Sequence, residues 1–185
     1  METKTHIAIL GWGSLLWEER EEFDAQHGAW LEAGPALKIE YSRISKTRDG
    51  ALTLVIDPLN GVSILVHYCL SKRSTLAETV KDLQTREGTI PKHVGYLDLM
   101  VPEENFGDEE MTRSIRLWAD EHNLAGVVWT NLPSNFQEQV GEPFSVESAV
   151  TYLEHLRGDA RTKALDYIAK TLPFVQTPLR VALKL

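Results

Sequence analysis

Two stretches of this chain carry residue types that could do chemistry. The first is Gly11-Trp12-Gly13-Ser14-Leu15, which follows the apolar run Ile7-Ala8-Ile9-Leu10. Glycines in such a loop let the backbone turn sharply and let a ligand approach the main chain. Successive N–H groups there can form a nest for an anion, and Ser14 adds a hydroxyl. The bland alternative is plain turn geometry at a strand end. The pattern is not a dinucleotide fingerprint, because Leu16 stands where the third glycine belongs. Nor is it a phosphate-binding loop, because no Gly-Lys-Ser/Thr follows. The second stretch ends at Glu87. Leu76, Val80, Leu83 and Glu87 are spaced by four, three and four, so the acid extends an apolar helical stripe to the C-terminal end. Desolvation there is expected to raise a carboxylate pKa, and the negative end of the helix dipole acts the same way. Both suit a general base working near neutral pH. The alternative is a glutamate that snorkels to solvent or pairs with an arginine.

Other candidates are weaker. Leu37, Ile39 and Tyr41 alternate with polar residues, and Arg43 continues that parity. An inward Arg43 could grip a substrate carboxylate with both arms of its guanidinium; a structural ion pair is the commoner use. Tyr41, Tyr68 and Tyr96 could bring a hydroxyl to such a site, although strand tyrosines mostly pack. His6, His27, His67, His93, His122 and His155 are scattered without metal-ligand spacing, so no metal site is read. Cys69 lies in an apolar run and reads as core rather than nucleophile. Ser14 lacks the spacing of a nucleophile elbow.

The elements that must hold these residues are legible from periodicity. Strands are expected at 7–10, from Leu37 to Arg43, at 52–56, at 62–70, at 94–101 and at 125–130, with 176–185 as a possible last strand. Asp57-Pro58-Leu59-Asn60-Gly61 predicts a hairpin between 52–56 and 62–70. Thr75 with Glu78 reads as a capping box opening a helix over 75–86, which Gly88 closes. Further helices are predicted around Ile115–His122, over 145–157 and over 159–172, the last two separated by Gly158. Residues 18–22 read as a solvated charge run, 103–110 as an acidic loop and 131–141 as a loop. Strands and helices do not alternate strictly, so a doubly wound parallel sheet is disfavoured. The expectation is an α+β domain with a mixed, curved or barrel-like sheet and surrounding helices.

The 185 residues fit one domain. Lys and Arg number 19 against 27 Asp and Glu, a net charge of −8, which repels phosphate backbones and argues against nucleic acid as a partner. One cysteine excludes an internal disulfide and fits a reducing compartment. No apolar run approaches a membrane span and none at the start resembles a signal segment, so a soluble, cytoplasmic protein is expected. Nothing in the sequence sets the oligomeric state.

The two best candidates coincide with a known pattern. Ile7-Ala8-Ile9-Leu10-Gly11-Trp12-Gly13-Ser14-Leu15-Leu16-Trp17 resembles the strand-and-loop signature of the gamma-glutamylcyclotransferase-like superfamily, closest to its ChaC-type branch. Leu83-Gln84-Thr85-Arg86-Glu87 resembles that branch's Leu-x-x-Arg-Glu segment, and Gly95-Tyr96 its following Gly-Tyr. Trp12 stands where the family has Tyr, and 102–146 reads as a family-divergent insertion. The resemblance implies a single domain of that fold and a cofactor-independent enzyme acting on a small gamma-glutamyl compound. Glutathione, a gamma-glutamyl amino acid and a gamma-glutamyl amine share the part of the substrate these motifs would hold. By the same implication Glu87 is the catalytic base and acid, and Gly11, Trp12, Gly13, Ser14, Leu15 and Tyr96 bind substrate, with Arg43 added from its strand parity. The alternative is a non-catalytic small-molecule-binding or protein-interaction module on the same fold, with the 103–110 and 131–141 segments as its surface.

Overall fold

The computed structural model describes residues 4–101 and 109–185; the expected acidic loop therefore lies mostly outside the described residues. The strands are β1 His6–Gly11, β2 Ala36–Ser45, β3 Ala51–Ile56, β4 Val62–Leu65, β5 His67–Leu70, β6 Val94–Asp98 and β7 Leu124–Thr130. The helices are α1 Glu21–Asp24, α2 Leu76–Glu87, α3 Glu109–Glu121, α4 Phe136–Val140, α5 Val146–His155, α6 Asp159–Lys170 and α7 Pro178–Leu183. The architecture is α+β, with two open sheets ordered β5-β1-β7-β6 and β3-β2-β4 and neither closed into a barrel. No described helix is long and apolar enough to cross a membrane. The chain forms two compact units, Met1–Leu37 with Leu65–Leu132, and Lys38–Ile64 with Pro133–Leu185.

The first unit contains the four-stranded sheet. Its central pair, β1 and β7, is parallel, and β5 and β6 flank it antiparallel. Ile7 through Leu10 are all buried because both faces of β1 are covered, which is why that strand reads as an unbroken apolar run. On one face Ile7, Ile9, Cys69, Val94 and Val128 pack with Leu83 of α2. On the other, α3 lays Trp118 edge-on against Tyr68, ring centroids 4.8 Å apart. Trp118 Nε1 donates to Ala33 O, tying α3 to residues 27–34. That segment bonds along the β5 edge through Gly28 N to Leu70 O, a reciprocal Leu31–Tyr68 pair and Gly34 N to Val66 O. Within 102–146, β7 is part of the sheet's core, between β1 and β6.

The second unit corrects three expectations. The 52–56 and 62–70 strands do not form a hairpin: β3 and β4 flank β2 on opposite sides, and 62–70 is two strands in two sheets. The hairpin is β2–β3, closed through Lys46–Arg48 and left-handed Asp49 and Gly50. The Asp57 turn is real, its carboxylate accepting from the N–H groups of Leu59 and Asn60. It returns the chain to the far side of β2, where a Cβ on Gly61 would lie 2.7 Å from Ile39 N. Second, the alternation of β2 does not continue to Arg43. A register shift between Glu40 and Arg43 interrupts it, so Glu40, Tyr41 and Ser42 are all buried and Ile44, not Arg43, faces the core. Asn135 stabilises the shifted strand, its Oδ1 accepting from Ile44 N at 2.7 Å and its Nδ2 donating to Ile44 O. Third, 176–185 holds a helix, Pro178–Leu183, and no strand. Thr177 accepts from Arg180 N and Pro178 opens α7, a start signal that outweighs the segment's strand-like composition. The expected loop at 131–141 also holds a short helix, α4, anchored by fully buried Phe136.

Glu40 is fully buried. Its carboxylate accepts from Tyr41 N at 2.7 Å and Leu179 N at 3.3 Å. Burial holds its pKa above the ordinary value of 4.5 despite hydrogen bonds from Thr177, Tyr41 and Leu179. A raised carboxylate pKa means the folded protein binds this proton more tightly than the unfolded chain. The contribution is therefore present below the unfolded pKa and declines as pH rises through the folded pKa. Glu40→Gln is expected to abolish that part of the slope, so the variant gains stability relative to wild type as pH rises above the ordinary carboxylate value of 4.5. Urea unfolding of both proteins below and above that value measures it, and parallel pH profiles would contradict it.

Candidate functional site

The first unit brings four chain segments to one end of its sheet. Parallel β1 and β7 both finish there, at Gly11 and Thr130, and antiparallel β6 begins there with Val94 opposite Thr130. Leu76 lies over Gly126 near the start of β7, where a Cβ would be 2.9 Å from it. The 12-residue α2 therefore runs toward the same end and stops at Glu87. Thr75 accepts from Glu78 N to start the helix, and left-handed Gly88 at φ 57° ends it. Ligands of open sheets with parallel strands bind beyond the strands' carboxyl ends, and Glu87 and the Gly11–Leu15 loop occupy that position.

The buried side of α2 is broader than the expected stripe. Leu83 is fully buried and Leu76 and Val80 pack, half-buried, against the same cluster, while Thr79 is fully buried as well. A second line therefore runs Leu76, Thr79, Leu83 and Arg86. Thr79 is tolerated inside because its hydroxyl donates to Ser71 Oγ and Thr75 O. Consequently the Arg86 side chain is 4% exposed and that of Glu87 17%. Glu87 is shielded but remains open to a hollow of about 920 Å³.

Arg86 connects the acid to the loop. Its Nη2 donates to Glu18 O at 3.1 Å and Ser14 O at 3.4 Å. The carboxylates of Glu18 and Glu87 lie 3.7 and 3.9 Å from its terminal nitrogens. Glu87 therefore has an arginine beside it, one of the two bland outcomes expected for it, while also facing the hollow. Ser14–Leu16 form a single 3-10 turn, and Leu16, Trp17 and Glu18 bond back to Gly13 O and Ser14 O. Among the described residues no backbone acceptor takes the N–H of Gly13 or Leu15, the normal state of the first donors of a helical turn.

The remaining expected residues divide. Gly11 is required by packing, since a Cβ there would be 2.7 Å from the Trp30 ring. Trp12 is 5% exposed and Leu15 9%, so both belong to the packed interior. None of Gly11 to Leu15 lines the hollow beside Glu87. Tyr96 is 38% exposed and opposite Val128; its parity with Val94 places it on the α2 side of the sheet. Arg43 lies in the second unit and donates to Pro133 O at 2.6 Å; the shift in β2 removes it from the inward parity on which its substrate role depended. Tyr41 is also in the second unit, donating to Thr171 Oγ1 at 2.6 Å with its pKa raised by burial. Cys69 is fully buried, its thiol likewise pushed up by burial, as expected of a core residue.

Arg86 was legible only as part of a motif, and the second line of helical spacing (76, 79, 83, 86) is the signal that marks it. Thr130 gave none; its Oγ1 is buried without a hydrogen-bond partner among the described residues. The hollow carries mixed charge, with Arg20, Arg73 and Arg86 against Glu21, Glu22, Asp82 and Glu87. Arg73 and Asp82 satisfy each other through two bonds of 2.7 and 3.0 Å. Among the described residues no group of His, Cys, Asp and Glu could hold a metal ion. No protein-family model matches the chain, and no curated protein matches it.

Proposed function

We propose that the first unit cyclises a small gamma-glutamyl compound to pyroglutamate with release of its amine. The observation that carries this reading is that Glu87 and the Gly-Trp-Gly-Ser loop adjoin one guanidinium, at the sheet end where parallel strands finish. Glu87 takes a proton from the substrate α-ammonium. The freed amine attacks the gamma-carbonyl carbon, forming the C–N bond of a five-membered lactam. The carbonyl oxygen gains negative charge and is met by loop N–H donors such as those of Gly13 and Leu15. As the tetrahedral centre collapses, the bond to the leaving amine breaks and Glu87 returns the proton to that amine; the second proton, carried by the attacking nitrogen, passes to the released amine, which departs as an ammonium while the lactam keeps one N–H. Ring closure within one molecule benefits from high effective molarity, and the proposed steps need no cofactor. One buried thiol suits a cytoplasmic setting.

Incubating the protein with glutathione, gamma-glutamyl amino acids and gamma-glutamyl amines, with pyroglutamate detected, tests the reading. Time-dependent release from at least one class is expected; no release from any class defeats it. Buried Trp12, in place of a phenol, favours a second reading, a binding module without turnover. Calorimetric binding of the same compounds without product would establish that one instead.

A further inference from the structure

We infer that Arg86 is the positioning residue of this site: its guanidinium clamps the Ser14–Glu18 turn to the end of α2 and so fixes where Glu87 sits relative to the loop. The inference rests on the reading above for its catalytic consequence, but not for the clamp itself. Three observations carry it. The side chain is 4% exposed, against 17% for that of Glu87. One nitrogen, Nη2, reaches two carbonyls of the turn, Ser14 O and Glu18 O, while the Glu18 and Glu87 carboxylates flank the same cation. Ser14 O also accepts from Trp17 N and Glu18 N, so the guanidinium bonds at the point on which the turn closes.

Packing alone does not account for an arginine here. Its Nε is buried with no acceptor among the described residues, and an unmade buried hydrogen bond is costly. A leucine at 86 would continue the Leu76, Thr79 and Leu83 line without that cost. The planar fork is what a lysine cannot reproduce, since an ammonium is a compact point charge on a flexible stem. With both carbonyls held toward Arg86, the turn's remaining N–H groups keep a fixed direction, and Glu87, the next residue, inherits its place from the same anchor.

The test uses the full chain as Arg86→Met and Arg86→Lys, with glutathione and gamma-glutamyl-alanine as probes. Amide hydrogen exchange at Leu16, Trp17 and Glu18 is expected to accelerate about tenfold or more in Arg86→Met, as befits loss of a charged hydrogen bond. Turnover is expected to fall about 100-fold with KM nearly unchanged, the scale of an ångström-sized misplacement of a reacting group. Millimolar guanidinium should restore part of kcat. Arg86→Lys keeps the charge and guards against a methionine variant that fails to fold; it should also exchange faster and turn over more slowly. Wild-type exchange at these three amides in a folded variant overturns the clamp. Faster exchange with an unchanged kcat overturns the positioning role. A wild type inactive on both probes counts against the proposed reaction, and exchange alone then decides the clamp.

Discussion

Glu87→Gln is expected to lower pyroglutamate release by about 10³-fold, within the range for removing a positioned acid–base group. The amide cannot take the α-ammonium proton, and it cannot deliver one to the leaving amine, so both half-steps fail together. The substitution preserves size and helix propensity. One contact it weakens is a 3.9 Å approach to Arg86 by a side chain that is 17% exposed, and an amide there still offers an oxygen to the guanidinium. Arg86 keeps the carbonyls of Ser14 and Glu18. The variant should therefore retain wild-type circular dichroism and nearly its melting temperature while kcat collapses. Steady-state kinetics on whichever compound the wild type consumes provide the measurement. A variant that turns over within a few-fold of wild type removes Glu87 from the reaction.

The second large effect is on stability. Gly95 on β6 pairs with Trp129 on β7, and the indole folds directly over the glycine. A Cβ at 95 would lie 2.3 Å from Trp129 Cε2 and Nε1, well inside any tolerated contact. Trp129 is fully buried, so the ring has no open side to retreat into and the strain must pass to the sheet. Gly95→Ala is expected to destabilise the protein by about 3 kcal/mol, the upper part of the range for overpacking. The corresponding fall in melting temperature is roughly 6–12 °C. Adding Trp129→Phe, which replaces the fused two-ring indole with a single smaller ring, should recover part of the loss relative to the single-variant sum. A Gly95→Ala protein that melts with wild type would show that the pairing at this edge yields more easily than the geometry indicates.

Much of the first unit was legible because its local signals agree with its packing. The strand ending at Gly11, the α2 caps at Thr75 and Gly88 and the buried thiol of Cys69 each follow from a few adjacent residues. Pairing was less legible. Asp57 to Gly61 has every mark of a hairpin turn, yet what decides the partner of β3 is the place of β2 between β3 and β4, and the alternation that reveals β2 as a strand says nothing of that place. The β2 register shift was hidden for a related reason. The groups that satisfy it come from Asn135 and its neighbours, some 90 residues further on, so the alternation up to Tyr41 contains no warning that Arg43 will leave the inward line. On α2 the difficulty was degeneracy: two helical lines share Leu76 and Leu83, one ending at Arg86 and the other at Glu87. Hydropathy marks the line through Val80, which does pack against the core, but gives no sign that the interior also accepts Thr79, whose hydroxyl is satisfied by Ser71 and the helix backbone.

The interleaving of the two units, each assembled from two separated stretches of chain, bears on how the molecule is made. On a ribosome, β1 emerges early but waits for its parallel neighbour β7 until more than a hundred further residues have been synthesised. Until then its hydrogen-bonding edge toward that neighbour stays vacant, as does the apolar surface that β7 will cover. Neither unit can be cut out by trimming the gene from one end, because any single cut within 38–132 leaves both with a missing half.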